Sequence, residues 1–422
     1  MGSKYPKSLR IFLPFWALIL ETAFILIFYF FTSYEIRSKK LELLETYSAF
    51  QDINVMAVLG LGFLKASLRR YAWSSVAFNL FTLALGVQWA IILDGFLFSY
   101  SGEKITINIQ RIIRGTMSAM SVLISSGATL GKVNLVQLIV MTLLEVTVFQ
   151  GTKFSLTFLK QNDHQSMMQI HMFAAYFGVA TAWCLSGPGP DAAKEKEQRA
   201  TTSTLFTTLG TLFLWIFWPT FNSALLDYPS EKETAVSNTY YALAVSAVVA
   251  MSFSAASHSE GKISMNHVYR AMLAGGVAVG VATNLIYSPW IAMVLGFLAA
   301  MISIIGAKCL PVMGYRLEGC LNRIIGLHDT CEVHSTFGLP GLLGGLTYIV
   351  LIAEQANWTK VSTAGFQILL SAGCVALTMA TGLAGGVLTG SILRLNLWKA
   401  PHAAKYFDDQ AFWKFPHLAV GF

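Results

Sequence analysis

Charged residues are scarce in this chain: they make up 12% of its 422 residues, about half of their share in an average soluble domain. Hydrophobic residues reach 55%, and they form runs of about 20 residues, the length of a helix that crosses a hydrocarbon core of about 30 Å. No stretch alternates polar and apolar residues in the way that strands of a membrane barrel do. The composition excludes a soluble protein and predicts an all-α integral membrane protein.

Paired cysteines are also missing. The five cysteines are odd in number and form no CxxC pair, so the sequence suggests neither a disulfide framework nor a zinc site. No nucleophile, base and orienting residue occur together, so we expect no enzyme activity, no metal and no cofactor. The net charge of +7 comes from basic residues in short loops beside apolar runs, a pattern of membrane orientation and not of nucleic-acid binding.

Twelve apolar segments are candidates to cross a bilayer as helices. They cover residues 11–32, 53–66, 74–98, 112–129, 133–152, 168–186, 202–226, 238–257, 265–282, 285–306, 335–353 and 364–393. The polar segment 33–52 is expected to form an exposed loop. Segments 53–66 and 112–129 are short or rich in Ser, Thr and Gly, so we expect other helices and not lipid to surround them.

Lysine and arginine are unevenly divided between alternate loops. The loops on the same side as both chain ends hold 18 of them, and the opposite loops hold 10. Because basic residues accumulate in cytoplasmic loops, both termini are expected in the cytoplasm, and residues 394–422 are expected to form a cytoplasmic tail.

Two segments place an aspartate eight residues before a ring. In DHQSMMQIHMFAAYFGVATAWC, Asp163 precedes His171, and in DTCEVHSTFGLPGLLGG, Asp329 precedes Phe337. An imidazole inside a membrane span is costly and by default marks a substrate or proton pathway. Each aspartate either contacts a ligand or accepts backbone N–H groups at the start of its helix, and the second role is preferred.

This matched spacing predicts an internal duplication. Transporters are often built from two inverted repeats with the working site between them. We therefore predict a single transmembrane domain, 1–422, that contains an extra N-terminal helix, a first repeat, a second repeat and a last helix; the bounds of these four parts are 1–32, 53–186, 202–353 and 364–393.

Glycines recur at four-residue intervals in two of the segments. Gly276 and Gly280 form one such pair, and Gly382, Gly386 and Gly390 continue the interval along the last segment. Small residues on one helix face let backbones approach closely. Helix packing explains these glycines without a ligand.

Long stretches of the chain resemble the Rh proteins, a branch of the ammonium transporter superfamily. The stretches are VAFNLFTLALGVQWAIILDGF, SVLISSGATLGKVNLVQL, HMFAAYFG, LFLWIFWPTFNSALL, LAGGVAVG and KAPHAAKYFDDQAFWKFPHLAVGF, and the match covers almost the whole chain. The first and last, with LPFWALILETAFILIFYFF, are most similar to the blood-group polypeptides of that branch. The resemblance implies the ammonium-transporter fold, an inverted repeat with one pore-like bundle in each subunit.

The resemblance also implies roles along the pore. Transporting members hold two histidines midway, each eight residues after an aspartate; His171 matches the first, Phe337 replaces the second, and His334 does not substitute for it. Two phenylalanines cover the pore of transporters: Phe221 matches one, and Met117, which lacks an aromatic face, takes the place of the other. Weak or absent ammonium transport is therefore expected. The alternative is a channel for ammonia, ammonium or carbon dioxide that uses His171.

Partners and modifications follow from the same resemblance. The chain is expected to be a structural subunit of a complex in the red-cell plasma membrane, in a trimer with the Rh-associated glycoprotein and tethered to ankyrin and spectrin. Cys309, in KCLP, is either a palmitoylation site or a buried thiol, and Asn357 begins a glycosylation sequon. The tail segment YFDDQAFWKF either docks a cytoskeletal adaptor or packs against its own bundle.

Overall fold

The apolar runs form helices because a chain in hydrocarbon must satisfy its own backbone hydrogen bonds. The computed structural model describes residues 8–34, 40–99, 104–186, 197–316, 329–356, 358–402 and 405–414, without the side chains of 40–43, 309–316 and 360. The helices of these ranges are Leu13–Phe31 (α1), Lys40–Val55 (α2), Leu61–Leu64 (α3), Ala72–Phe98 (α4), Ile109–Ser125 (α5), Leu135–Phe158 (α6), Asp163–Met168 (α7), Ile170–Leu185 (α8), Thr201–Ser223 (α9), Pro229–Ala256 (α10), Met265–Val279 (α11), Pro289–Arg316 (α12), Leu339–Gln355 (α13) and Val361–Leu393 (α14).

Three π-helical turns extend or join these helices: Ser8–Phe12 leads into α1, Met56–Gly60 joins α2 to α3, and His334–Gly338 leads into α13. With α7 and α8 taken as one broken helix, the described ranges hold twelve continuous helical segments. Ten of them are long and apolar enough to cross a membrane. The other two are α5, with 17 residues, and α11, with 15. Most of their side chains are buried inside the bundle, and the predicted twelve-helix membrane fold is confirmed.

The prediction of a loop at 33–52 was wrong for residues 40–52, which are helical. Helix α2 begins at Lys40, and the apolar part of this helical segment runs from Leu44 to Leu64. Its charged residues are concentrated in the first turns, so they need not enter the hydrocarbon. Asp52 lies deeper, where it accepts a hydrogen bond of 2.8 Å from the Thr220 hydroxyl. The segment predicted at 53–66 is therefore only the inner half of one longer helix.

Equivalent helices of the two halves make equivalent contacts. Helix α5 packs against α4 and α8, as α11 packs against α10 and α13, and α2 packs on α5 as α9 packs on α11. The linker after α5 also joins the halves, because the amides of Thr330 and Cys331 donate to the carbonyls of Ala128 and Gly127. These pairings support the repeat bounds 53–186 and 202–353, which stay a prediction.

The last helix lies against α8 along its glycine face. A Cβ built on Gly382 would lie 2.8 Å from the carbonyl oxygen of Phe173, and one on Gly386 would press still closer against the carbonyl of Phe177. Glycine is therefore needed at these positions by the close approach of two backbones.

Helix α1 stands at the outside of the bundle, with Phe24 as its only buried side chain. At its end, the short strand Thr32–Tyr34 (β1) pairs in parallel with Ile105–Ile107 (β2). Ile105 packs against the backbone of Gly95 in α4, where an added Cβ would clash with it. The extra N-terminal helix is thus held at this end by the strand pair and along its length by packing of Phe24 against α4 and α6.

Residues 405–414 of the tail pack on the bundle. Helix α4 has no capping side chain of its own at Tyr71. The carboxylate of Asp409 supplies the cap instead, since its oxygens accept hydrogen bonds of 2.9 Å from the amides of Trp73 and Ser74. The Phe407 amide donates to the carbonyl of Gly131, and its ring covers that glycine. Of the two roles considered for this segment, packing on its own bundle is the one that the contacts display.

Candidate functional site

His171 is the second residue of α8, just after the break that separates it from α7. A capping box formed by Asn162 and Gln165 begins α7, and the chain passes through Gln169 into α8. The His171 side chain is 2% exposed. Within the described residues, its ring makes no hydrogen bond to another side chain.

Aromatic rings enclose this imidazole. The ring of Trp218 stacks on it at 5.5 Å between centroids and 22° between planes, and the ring of Phe337 lies at 6.0 Å and 6°. Phe221 meets it edge-on at 5.5 Å and 63°. Three apolar rings therefore surround His171, and the backbone of Met168 lies within hydrogen-bonding reach of the imidazole. Trp218 was missed in the sequence, although it precedes Phe221 by one helical turn and so shares its face.

Phe337 belongs to the π-helical turn before α13 and is 3% exposed. His334 begins the same turn, but its ring contacts Tyr176 at 5.8 Å and lies outside the His171 stack. Met117, on α5, is fully buried in the same apolar core as Phe221. Of the predicted pore residues, the structure thus brings Phe221 and Phe337 onto His171 and leaves His334 apart.

Asp163, at the start of α7, is held by two cations. Its carboxylate lies 2.8 Å from Arg114 Nε and 3.3 Å from Lys153 Nζ. Lys153 is buried and also lies over the ring of Phe98, 5.5 Å from its centroid. The capping role considered for Asp163 belongs instead to Asn162, because the residue before the helix is the one placed to accept from its amides. In the sequence both cations are loop charges near helix ends, and no local spacing links them to Asp163.

Asp329 does accept at a helix start: its Oδ2 receives a hydrogen bond of 2.9 Å from the His334 amide. Burial raises the pKa of this carboxyl above its ordinary value. Beside it, Glu332 pairs with Arg270 and, at 3.4 Å, with Arg199. This end of the pore region carries more buried ion pairs than the sequence suggested.

Other predicted sites fall outside the described residues. Asn357 is not described, and the Cys309 side chain is not described although its backbone belongs to α12, which continues to Arg316 instead of ending at 306. Among the residues that are described, no group of three or more His, Cys, Asp or Glu side chains is placed to hold a metal ion.

Comparisons with known proteins agree with this geometry. The model of the Ammonium Transporter Family matches residues 13–410. The RH-like protein of Macaca mulatta is 56% identical and the human blood group Rh(CE) polypeptide is 54% identical, each over 424 aligned residues and 100% of both chains. Among solved structures, the Rh50 protein of Nitrosomonas europaea superimposes with a TM-score of 0.76 at 28% identity, covering 91% of this chain and 95% of its own. The chain therefore belongs to the ammonium transporter family, within its Rh blood-group branch.

Proposed function

We propose that this chain is a structural subunit of the Rh complex of the red-cell plasma membrane, with weak or absent ammonium transport. Its role is to assemble with a related glycoprotein in a trimer and to contribute to anchoring at ankyrin and spectrin. It is not an enzyme. Phe337, lying parallel to His171 where a second imidazole is expected, is the observation that carries the proposal.

The chemistry of transport explains why this phenyl ring matters. Ammonium must lose its hydration and a proton before it can cross an apolar pore, since burying an unpaired charge is prohibitive. Two facing imidazoles can share a proton and offer both a donor and an acceptor. A phenyl ring at position 337 offers neither, so His171 has no partner for such an exchange.

The outer end of α7 supports the same proposal. Asp163 would attract cations if its charge were free, but Arg114 and Lys153 together outnumber it. The cluster carries a net positive charge, and a like charge disfavours the approach of ammonium.

Purified chain in proteoliposomes tests the transport part. Phe337→His combined with Met117→Phe is expected to raise methylammonium uptake well above that of the wild type, because the pair of imidazoles and the second covering ring are then present. Phe337→Leu is the matched control: it removes the ring without adding a donor or acceptor, and uptake should stay low. A wild type that already conducts as well as the double variant would refute the proposal.

The assembly part rests on exposed apolar helix faces. The outer face of α12 presents large apolar side chains away from the bundle: Trp290, Met293, Val294, Phe297 and Leu298. Helices associate in membranes through such packing surfaces. Expressed alone, the chain should reach the plasma membrane poorly, and co-expression with its glycosylated relative should restore delivery and yield a detergent-stable complex. Abundant surface delivery of the chain alone, or a monomer in native mass measurement of red-cell membranes, would favour an independent channel.

A channel for ammonia or carbon dioxide is the second candidate, and the retention of His171 favours it. Its imidazole edge is not engaged by another side chain of the described residues. If His171→Ala lowers a measurable flux of the wild-type chain, this candidate gains; if no flux changes, His171 serves packing alone.

A further inference from the structure

A small cavity lies beside Phe337, between the two halves of the bundle. It measures about 20 Å³ and is bounded by residues from α3, α5, α11 and the segment before α13, among them Lys65, Gly127, Arg270 and Thr336. A space of at least about 10–15 Å³ holds one water-sized species. The cavity thus accommodates a single small molecule or ion.

Lys65 brings a buried charge to this cavity. Its side chain follows α3 and the residue is 5% exposed. The ammonium donates to the carbonyl of Leu123 at 3.0 Å and to the hydroxyl of Ser126 at 3.1 Å. Both acceptors are neutral, and within the described residues no carboxylate lies in ion-pair range of this group. A lysine has three N–H donors, so one donor and the full charge remain uncompensated.

Arg270 brings a second cation. It is 3% exposed and pairs with Glu332. Glu332 is shared, because Arg199 reaches the same carboxylate at 3.4 Å. Asp329 lies nearby, but its Oδ2 is engaged by the His334 amide. Of the described residues that bound the cavity, the charged ones are Lys65 and Arg270, and none is acidic.

We propose that this cavity binds one small monovalent anion, of which chloride is the physiological representative. A buried charge without a counter-charge costs several kcal/mol, and an anion beside Lys65 and Arg270 offsets that cost. A volume of about 20 Å³ favours a single-atom anion over a larger one such as phosphate. The proposal does not depend on whether the pore conducts, since the bound anion would be a resident ligand of the folded chain.

Thermal unfolding of the full chain in lipid nanodiscs tests it. With ionic strength held constant, replacement of gluconate by chloride at about 100 mM is expected to raise the unfolding midpoint of the wild type by about 2 °C or more. Lys65→Gln can keep a donor to Leu123 and Ser126 but loses the charge, and its midpoint should no longer respond to chloride. Lys65→Arg should retain the response. Lys262→Gln, which removes an exposed lysine paired with Glu260, should respond as the wild type does.

Direct binding makes the test independent of variant folding. The line width of the chloride NMR signal should broaden in the presence of wild-type protein and narrow again when bromide competes. An equal midpoint in gluconate and chloride with no broadening would mean that the cavity holds only water. A full chloride response in Lys65→Gln would place the anion elsewhere. Either result overturns the proposal.

Discussion

At the scale of single residues, the contacts around Asp163 differ most from what its position in the sequence suggests. An aspartate that precedes a membrane helix is expected either to cap that helix or to attract cations. In the structure Asn162 is placed as the cap, and Arg114 and Lys153 take up the carboxylate charge. The chemistry of this aspartate is thus set by residues some 10 and 49 positions before it, which no local pattern reveals.

Neutralising Arg114 should restore some attraction for cations at that end of the bundle. In the Phe337→His, Met117→Phe background, Arg114→Gln is expected to raise methylammonium uptake about threefold at low salt, and less at high salt because ions screen the field. Initial uptake rates in proteoliposomes measure it. Lys104→Gln, an exposed lysine outside the cluster, is the control and should leave uptake unchanged; an equal rise in both variants would show a general effect of surface charge.

Lys65 should make stability depend on pH in a definite direction. Burial lowers its pKa from 10.5 to about 8, so between these pH values the unfolded chain binds more protons than the folded one. Stability therefore rises with pH across that window. In chloride-free buffer the wild type should gain about 2 kcal/mol over Lys65→Met between pH 7.5 and 10, as measured by denaturant unfolding in mixed micelles. Parallel pH curves of the two proteins would contradict this.

The sequence was sufficient to pair His171 with Phe337, because each follows an aspartate by eight residues and this spacing can be read directly from the chain. It could not reveal Trp218 as a second ring parallel to His171, nor Lys65 and Arg270 beside the cavity. These three residues belong to helices far apart in the chain. Their positions near His171 and the cavity depend on how α3, α9 and α11 pack in the core.

At the scale of elements, the contact of α14 with α8 depends on the absence of side chains. Gly386→Ala places a methyl group against the carbonyl of Phe177, so the helices must move apart and the unfolding midpoint should fall by several degrees. Gly373, on the same helix, has nothing within 4 Å of a built Cβ. Gly373→Ala should therefore be neutral or stabilise by about 0.5–1 kcal/mol. An equal fall of the unfolding midpoint in both variants would indicate that helix propensity, and not the contact between the two helices, determines the effect of the substitutions.

The tail is expected to stabilise the start of α4 through one carboxylate. Asp409→Ala removes both acceptors for the Trp73 and Ser74 amides and should cost about 1–2 kcal/mol. Limited proteolysis should then cut the tail faster than in the wild type. Asp409→Asn keeps one acceptor and should lie between the two, while Gln410→Ala, at an exposed neighbour, should change nothing. An unchanged cleavage rate in Asp409→Ala would mean that Phe407 alone holds the tail.

Helix types and number were predictable from hydropathy, whereas helix starts were not. Segment 33–52 looked like a loop because its charges break the apolar run, but a helix can begin in the headgroup region and carry those charges outside the hydrocarbon. Conversely, α5 and α11 are too short for a standard span, but their apolar segments were still recognised. For α5, the content of Ser, Thr and Gly also predicted a helix surrounded by protein.

At the scale of the whole molecule, the division of basic residues predicts which face is cytoplasmic. Ser230 and Ser259 are exposed at opposite ends of α10. In a chain otherwise free of accessible thiols, Ser230→Cys should react with an impermeant maleimide on intact cells, and Ser259→Cys only after permeabilisation. The reverse labelling pattern would invert the orientation and place both termini outside.

The pairing of β1 with β2 has a consequence for biosynthesis. Ile105 is made about 70 residues after Thr32, its partner in the ladder, which at 5–20 residues per second is a delay of about 4 to 14 s. During that interval α1 must remain in the bilayer without the strand that will hold its end. The side chains of α1 are apolar almost throughout. Lipid can therefore surround this helix before the rest of the chain has been synthesised.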